Sequence, residues 1–155
     1  TVRVGVFVNM ERSTIGELVD LLELTAIQLH GDEHSGFVKD LKHETGAKVI
    51  KAFRVSQDFA ADVVAEFEVD AVLLDAYSPH HYGGTGDSFD WNTAREVREF
   101  TSELYLAGGL TSENVANAIR TVRPYAVDVA SGVEFEPRKK DPVKLEAFIR
   151  NAKRA

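Results

Sequence analysis

A short β-branched apolar segment followed by a helix-like segment recurs about every 25 residues along this chain, and that repeat restricts the fold more than any other feature. The strand candidates are residues 3–9, 26–30, 49–55, 71–76, 104–109 and 126–132. Most are continuous apolar runs, such as Val4-Gly5-Val6-Phe7-Val8 and Ala71-Val72-Leu73-Leu74, rather than alternating ones. Strands buried on both faces read this way, and a parallel sheet covered by helices is the usual cause.

The intervening segments carry helical spacing and end signals. Ser13-Thr14 precedes an expected helix at 15–24, where Ile15, Leu18, Val19 and Leu22 share one face. A second is expected at 37–45 with Gly46 as its C-cap, and further crossovers at 58–68 and 92–101. Thr111 and Asn114 resemble a weak capping arrangement before Val115, and Pro124 ends that helix. Asp141-Pro142 sets an N-cap and a first-turn proline ahead of 143–152. Six βα units without a linker-like stretch predict a single α/β domain over residues 1–155. A doubly wound open sheet suits 155 residues, because a (βα)8 barrel needs eight units and roughly 200–250 residues. Loop chemistry points instead to the barrel.

Polar and glycine residues gather at the C-terminal ends of the strands: Asn9, His30-Gly31, Asp75, Gly108-Gly109 and Ser131-Gly132. In a parallel array those ends share one face, where active sites are built. The turns at Gly108-Gly109 and Ser131-Gly132 follow consecutive strands, and glycine-exposed amides with a helix start suit a phosphate dianion. The plain alternative is that these glycines only permit tight turns. Asp75 follows four apolar residues, which is costly unless it faces a cleft, finds a partner or does acid–base work. Capping accounts for it less well, since the segment after it is a long loop containing Tyr82-Gly83-Gly84-Thr85-Gly86. His30 suits either a substrate hydrogen bond or the ordering of its own turn. Asp128 points either into a barrel, where it would line a substrate site, or toward the helices. His80-His81 lacks the companions of a metal site, and Arg138-Lys139-Lys140 reads as solvated surface.

Composition narrows the function classes. With 25 acidic against 18 basic residues, the net charge is −7, which disfavours nucleic acid and anionic membranes as partners. No apolar run approaches the roughly 18 residues that span a bilayer, and a cytoplasmic setting is the expectation. The chain has no cysteine, so it carries no disulfide, thiolate metal site or cysteine base of its own.

Several motifs, in order across essentially the whole chain, resemble the phosphoribosylanthranilate isomerase family. They are Val4-Gly5-Val6-Phe7-Val8-Asn9, Gln28-Leu29-His30-Gly31, Leu73-Leu74-Asp75, Gly83-Gly84-Thr85-Gly86 with Phe89-Asp90-Trp91, Ala107-Gly108-Gly109-Leu110 with Glu113-Asn114-Val115, and the run from Arg123 through Asp128 to Glu134. The resemblance implies a (βα)8 TIM barrel of which this chain holds units 3 to 8. It implies an Amadori rearrangement of N-(5'-phosphoribosyl)anthranilate that needs no metal or nucleotide cofactor. Asp75 matches the general acid, His30 and Asp128 match substrate-contacting positions, and Gly108, Gly109, Ser131 and Gly132 match the phosphate cradle. The family's general-base cysteine belongs to its first strand and has no counterpart here. That leaves a second reading: a non-catalytic barrel fragment or complementing subunit, which binds phosphate and associates with an N-terminal segment or with itself through open sheet edges. A related phosphosugar barrel, such as indole-glycerol-phosphate synthase, would use catalytic lysines at strand ends, and only Lys51 is available.

Overall fold

The computed structural model describes residues 2–76 and 90–155. Six strands, β1 (Val4–Phe7), β2 (Ala26–Leu29), β3 (Lys48–Val55), β4 (Ala71–Ala76), β5 (Leu104–Leu106) and β6 (Ala126–Val127), form one sheet in sequence order. Every pairing is parallel. A doubly wound sheet must reverse its strand order at a switch point, and this one does not. Consecutive order with right-handed crossovers puts all connecting helices on one face, as in a barrel wall.

The register separates the two faces. Toward the helices, Phe7, Ile27, Leu29 and Val49 pack with Ile15 and Val19 of α1 (Arg12–Leu22) and with Val38 and Leu41 of α2 (Ser35–Thr45). Further along, Val72, Leu74, Leu104 and Leu106 pack with α3 (Trp91–Val97), α4 (Val115–Val122) and Phe148 of α5 (Pro142–Arg154). The opposite face holds a smaller cluster of Ile50, Ala52, Ala71, Leu73 and Ala107, with Tyr105 against it. That face is open beside β1, where Val4 and Val6 are exposed. Among the described residues β1 and β6 end the sheet, each with one neighbouring strand.

Local chemistry sets the element ends. Gly46 takes a left-handed φ of 63° and its N–H donates to the Lys42 carbonyl, closing α2 as expected. Asp141 accepts from the Val143 and Lys144 amides at 2.9 and 3.2 Å and caps α5. Helix α1 corrects the reading of Ser13-Thr14 as its start, because it begins at Arg12 behind Glu11, which makes no side-chain cap. The helix expected over 58–68 is a 3-10 helix, Ala61–Glu66. Its buried residue is Val64, with Ala61 and Val63 partly buried against the same core. Strands β5 and β6 stop at Leu106 and Val127. Gly108 and Gly109, at φ 78° and 64°, cannot continue an extended strand. The basic run Arg138-Lys139-Lys140 is exposed, as expected, and it is also structured. A hairpin of β7 (Glu134–Glu136) and β8 (Lys139–Lys140) holds it, with Lys139 paired to Glu136 and Lys140 to Glu134.

Candidate active site

Period-two alternation gives Gln28 and His30 of the β2 end the same direction, toward the face away from the helices. Gln28 Nε2 donates to His30 Nδ1 at 2.9 Å. An amide nitrogen can only donate, so Nδ1 is the unprotonated nitrogen and the ring proton sits on Nε2. Nε2 stands 3.3 Å from Asp75 Oδ2, with both side chains nearly buried. The two are close but not aligned as a hydrogen bond, which leaves the His30 N–H without such a partner among the described residues. Asp75 Oδ1 accepts from the Ala76 amide at 2.9 Å, so the carboxylate is oriented by its own backbone.

Asp128 continues β6 past its last strand residue, donating its N–H to the Leu106 carbonyl at 2.9 Å. It shares one cleft with Asp75, Gly108, Gly109, Ser131 and Gly132. The seven residues anticipated from sequence thus lie at one end of the sheet. Although Asp128 is exposed to that cleft, surrounding protein desolvates its carboxyl, and the Asp75 charge adds to this. Together they push its pKa up, against His30, the Val129 amide and Lys140.

Two consequences follow for Asp128→Asn. An acid whose folded pKa is raised favours the folded state below its unfolded pKa and disfavours it progressively as the pH climbs through the raised value. The variant should therefore melt higher than wild type at neutral pH, and the gain should vanish below about pH 3.9, the ordinary aspartate value. Thermal melts across pH 3 to 8 check this, and a gain that persists in acid would contradict it.

The glycine turns are built around close backbone approach. A Cβ on Gly108 would lie 2.4 Å from the Ala76 amide nitrogen, and one on Gly132 would lie 1.8 Å from the Leu110 carbonyl oxygen. Asn114 holds the first turn, accepting from the Thr111 amide and donating to the Gly109 carbonyl, both at 2.8 Å. A 3-10 turn, Ser131–Val133, begins at the second. Lys140 Nζ donates to the Ala130 carbonyl at 2.8 Å, so the hairpin beyond β6 braces the same turn.

Sequence reading missed several neighbours. Gln28 could have been found, two residues before His30 on the same face. Arg54 is in register with Asp75 across β3 and β4 and pairs with Asp32 at 2.5 Å. Nothing local in the sequence signals that pairing or the buried Lys51–Glu33 pair nearby. The loop Tyr82-Gly83-Gly84-Thr85-Gly86, Phe89 and His80-His81 lie outside the described residues. A wider groove between α3 and α4, lined by Arg95, Arg98, Arg120 and Arg123, belongs to the outer helix layer, apart from these groups.

Fold and strand-end chemistry define a parallel α/β protein of the TIM-barrel type, with an acid–histidine pair and a second carboxylate beside two glycine turns. A profile of the family described as N-(5'phosphoribosyl)anthranilate (PRA) isomerase matches residues 1–151. The N-(5'-phosphoribosyl)anthranilate isomerase of Trichlorobacter lovleyi is 48% identical over 152 residues, 98% of this chain and 72% of that protein. The crystal structure of the Thermotoga maritima phosphoribosyl anthranilate isomerase superposes with a TM-score of 0.86 at 40% identity, over 100% of this chain and 74% of that one. The Thermus thermophilus enzyme gives the same score at 31% identity, over 99% and 73%. Another phosphoribosyl anthranilate isomerase structure, 39% identical with a TM-score of 0.81 over 100% and 73%, is a complex with reduced 1-(o-carboxyphenylamino)-1-deoxyribulose 5-phosphate. The chain belongs to the N-(5'-phosphoribosyl)anthranilate isomerase family.

Proposed function

We infer that this chain serves tryptophan biosynthesis as an isomerase, in the Amadori rearrangement of N-(5'-phosphoribosyl)anthranilate to 1-(2-carboxyphenylamino)-1-deoxyribulose 5-phosphate. The observation that carries the reading is the meeting of Asp75, His30 and Asp128 beside two glycine turns at one sheet end, in a chain matched to this family along its length. Asp75 is the acid: it protonates the furanose ring oxygen, the C1'–O bond breaks, and the anilino nitrogen lone pair forms the iminium. Loss of the C2' proton to a base then gives an enolamine, whose enol tautomerises to the ketone. This needs a proton donor, a proton acceptor and positioning, and no step calls for a metal or nucleotide. His30 and Asp128 bind substrate, His30 through the ring N–H that faces Asp75. Gly108, Gly109, Ser131 and Gly132 cradle the phosphate through backbone amides.

The six βα units form one incomplete domain and correspond to units 3 to 8 of the family's barrel. Two features support this: the outer sides of β1 and β6, which meet no strand among the described residues, with Val4 and Val6 of β1 exposed, and matched structures of which this chain covers 73–74%. The cysteine base implied by the resemblance has no counterpart among these residues, so it belongs to the two further units. The test is isomerase turnover by the 155-residue chain alone and with a two-unit βα segment of roughly 50 residues added in trans. Turnover only in the mixture is the expected result. Turnover by the chain alone would place the base within it and end the unit assignment. Phosphate binding without turnover in either case would favour the non-catalytic reading.

A further inference from the structure

Beneath His30 lies an ion pair that the reaction does not use. Lys51 and Glu33 are 3.0 Å apart, with side chains only 4% and 3% exposed. Lys51 sits on the helix-facing side of β3, opposite Leu29 in the register. Its ammonium donates to the Gly31 carbonyl at 2.8 Å and to the Leu29 carbonyl at 3.5 Å. Those carbonyls flank His30 on either side. Glu33 accepts from the Gly31 amide at 3.0 Å with one oxygen and from the Asn9 amide at 2.8 Å with the other. Asn9, at a left-handed φ of 50°, accepts from the Asp32 amide at 2.7 Å. The pair therefore ties the C-terminal ends of β1 and β2 to the middle of β3, around the backbone of His30.

Stability alone is a poor reason for such a pair. Removing two charges from water costs several kcal/mol per ion, and well-packed apolar replacements are often neutral or stabilising. Burial already lowers the Lys51 pKa despite the Glu33 charge beside it. What an apolar pair cannot do is donate to two carbonyls and accept from two amides at fixed positions.

We propose that Lys51 and Glu33 are positioning residues for His30, holding its backbone so that its ring N–H stays beside Asp75 and open to substrate. The inference rests on the assignment of His30 as a substrate contact. Its test uses the doubly substituted Glu33→Leu/Lys51→Met chain and the milder Glu33→Gln, each compared with wild type in three measurements. These are the melting temperature, the imidazole nitrogen NMR signals of His30, and calorimetric binding of reduced 1-(o-carboxyphenylamino)-1-deoxyribulose 5-phosphate. The expected result is a folded protein in which His30 loses its single-tautomer signature and the analogue binds at least about tenfold more weakly, since small misplacements of a contacting group have large effects. Unaltered His30 signals and affinity in a folded variant would overturn the proposal. Failure of both variants to fold would overturn it too, by making the pair a stability element. If wild type itself does not bind the analogue, the functional reading fails, and the His30 signals still decide the positioning role.

Discussion

The Asp75→Asn variant, assayed in the complemented barrel, is expected to lose about 10²–10⁴ in kcat while still binding substrate, because removing a positioned general acid usually costs that much. Asparagine keeps the shape, and its carbonyl can still accept from the Ala76 amide where Oδ1 does now at 2.9 Å. Its NH2 group would then face the His30 N–H, two donors toward each other, where the carboxylate oxygen now stands at 3.3 Å. The substitution thus removes the group that can carry a transferable proton and turns an attractive contact into a neutral or mildly repulsive one. Affinity for the reduced product analogue should change far less than turnover, since the cradle turns and Asp128 are untouched. A variant turning over at near-wild-type rate would remove Asp75 from the mechanism. Equal losses in turnover and analogue affinity would make it a binding group instead.

Much of this site was legible because strand-end chemistry is local. Asp75 after four apolar residues, His30 before Gly31, and glycine-bearing turns after two successive strands each advertise a polar end on a buried element. Parallel pairing then brings all such ends to one side, so sequence order sufficed to group them. The choice between open sheet and barrel was harder. Length favours the first, and only the consecutive strand order excludes the double winding.

What was not legible depends on contacts across long sequence separations. Glu33 reads as an ordinary loop acid and Lys51 as an isolated lysine within an apolar strand. Their pairing emerges only when register sets Lys51 opposite Leu29. The direction of Asp128 was ambiguous for a similar reason. A residue in a two-sided apolar strand has no exposed face to betray it, and the register through Tyr105 and Ala126 was needed to place it. The hairpin at Glu134–Lys140 was missed because its strands are too short to show any period, and ion pairs hold it in place of an apolar face.

Substitution at Gly132 is expected to damage folding and anion binding together. A Cβ built there lies 1.8 Å from the Leu110 carbonyl oxygen and 3.4 Å from the Thr111 Cα. The obstacle is backbone, so no rotamer change relieves it. Leu110 and Thr111 belong to the turn after β5, whereas Gly132 belongs to the turn after β6. Gly132→Ala must therefore push the two halves of the proposed cradle apart. Forcing extra volume into a packed site costs about 1–3 kcal/mol. The loss of one or two charge-assisted hydrogen bonds to phosphate would weaken binding by a similar amount, on the order of 1–3 kcal/mol. Gly16→Ala provides the contrast: within α1, nothing lies within 4 Å of the added carbon. There the helix should gain up to about 1 kcal/mol, because alanine is the better helix former. Chemical denaturation and titration with inorganic phosphate separate the outcomes. Gly132→Ala should unfold earlier and bind phosphate at least about tenfold more weakly, and Gly16→Ala should unfold later with affinity unchanged. A folded Gly132→Ala chain with wild-type phosphate affinity would show that the anion sits elsewhere and that the two turns meet only for packing.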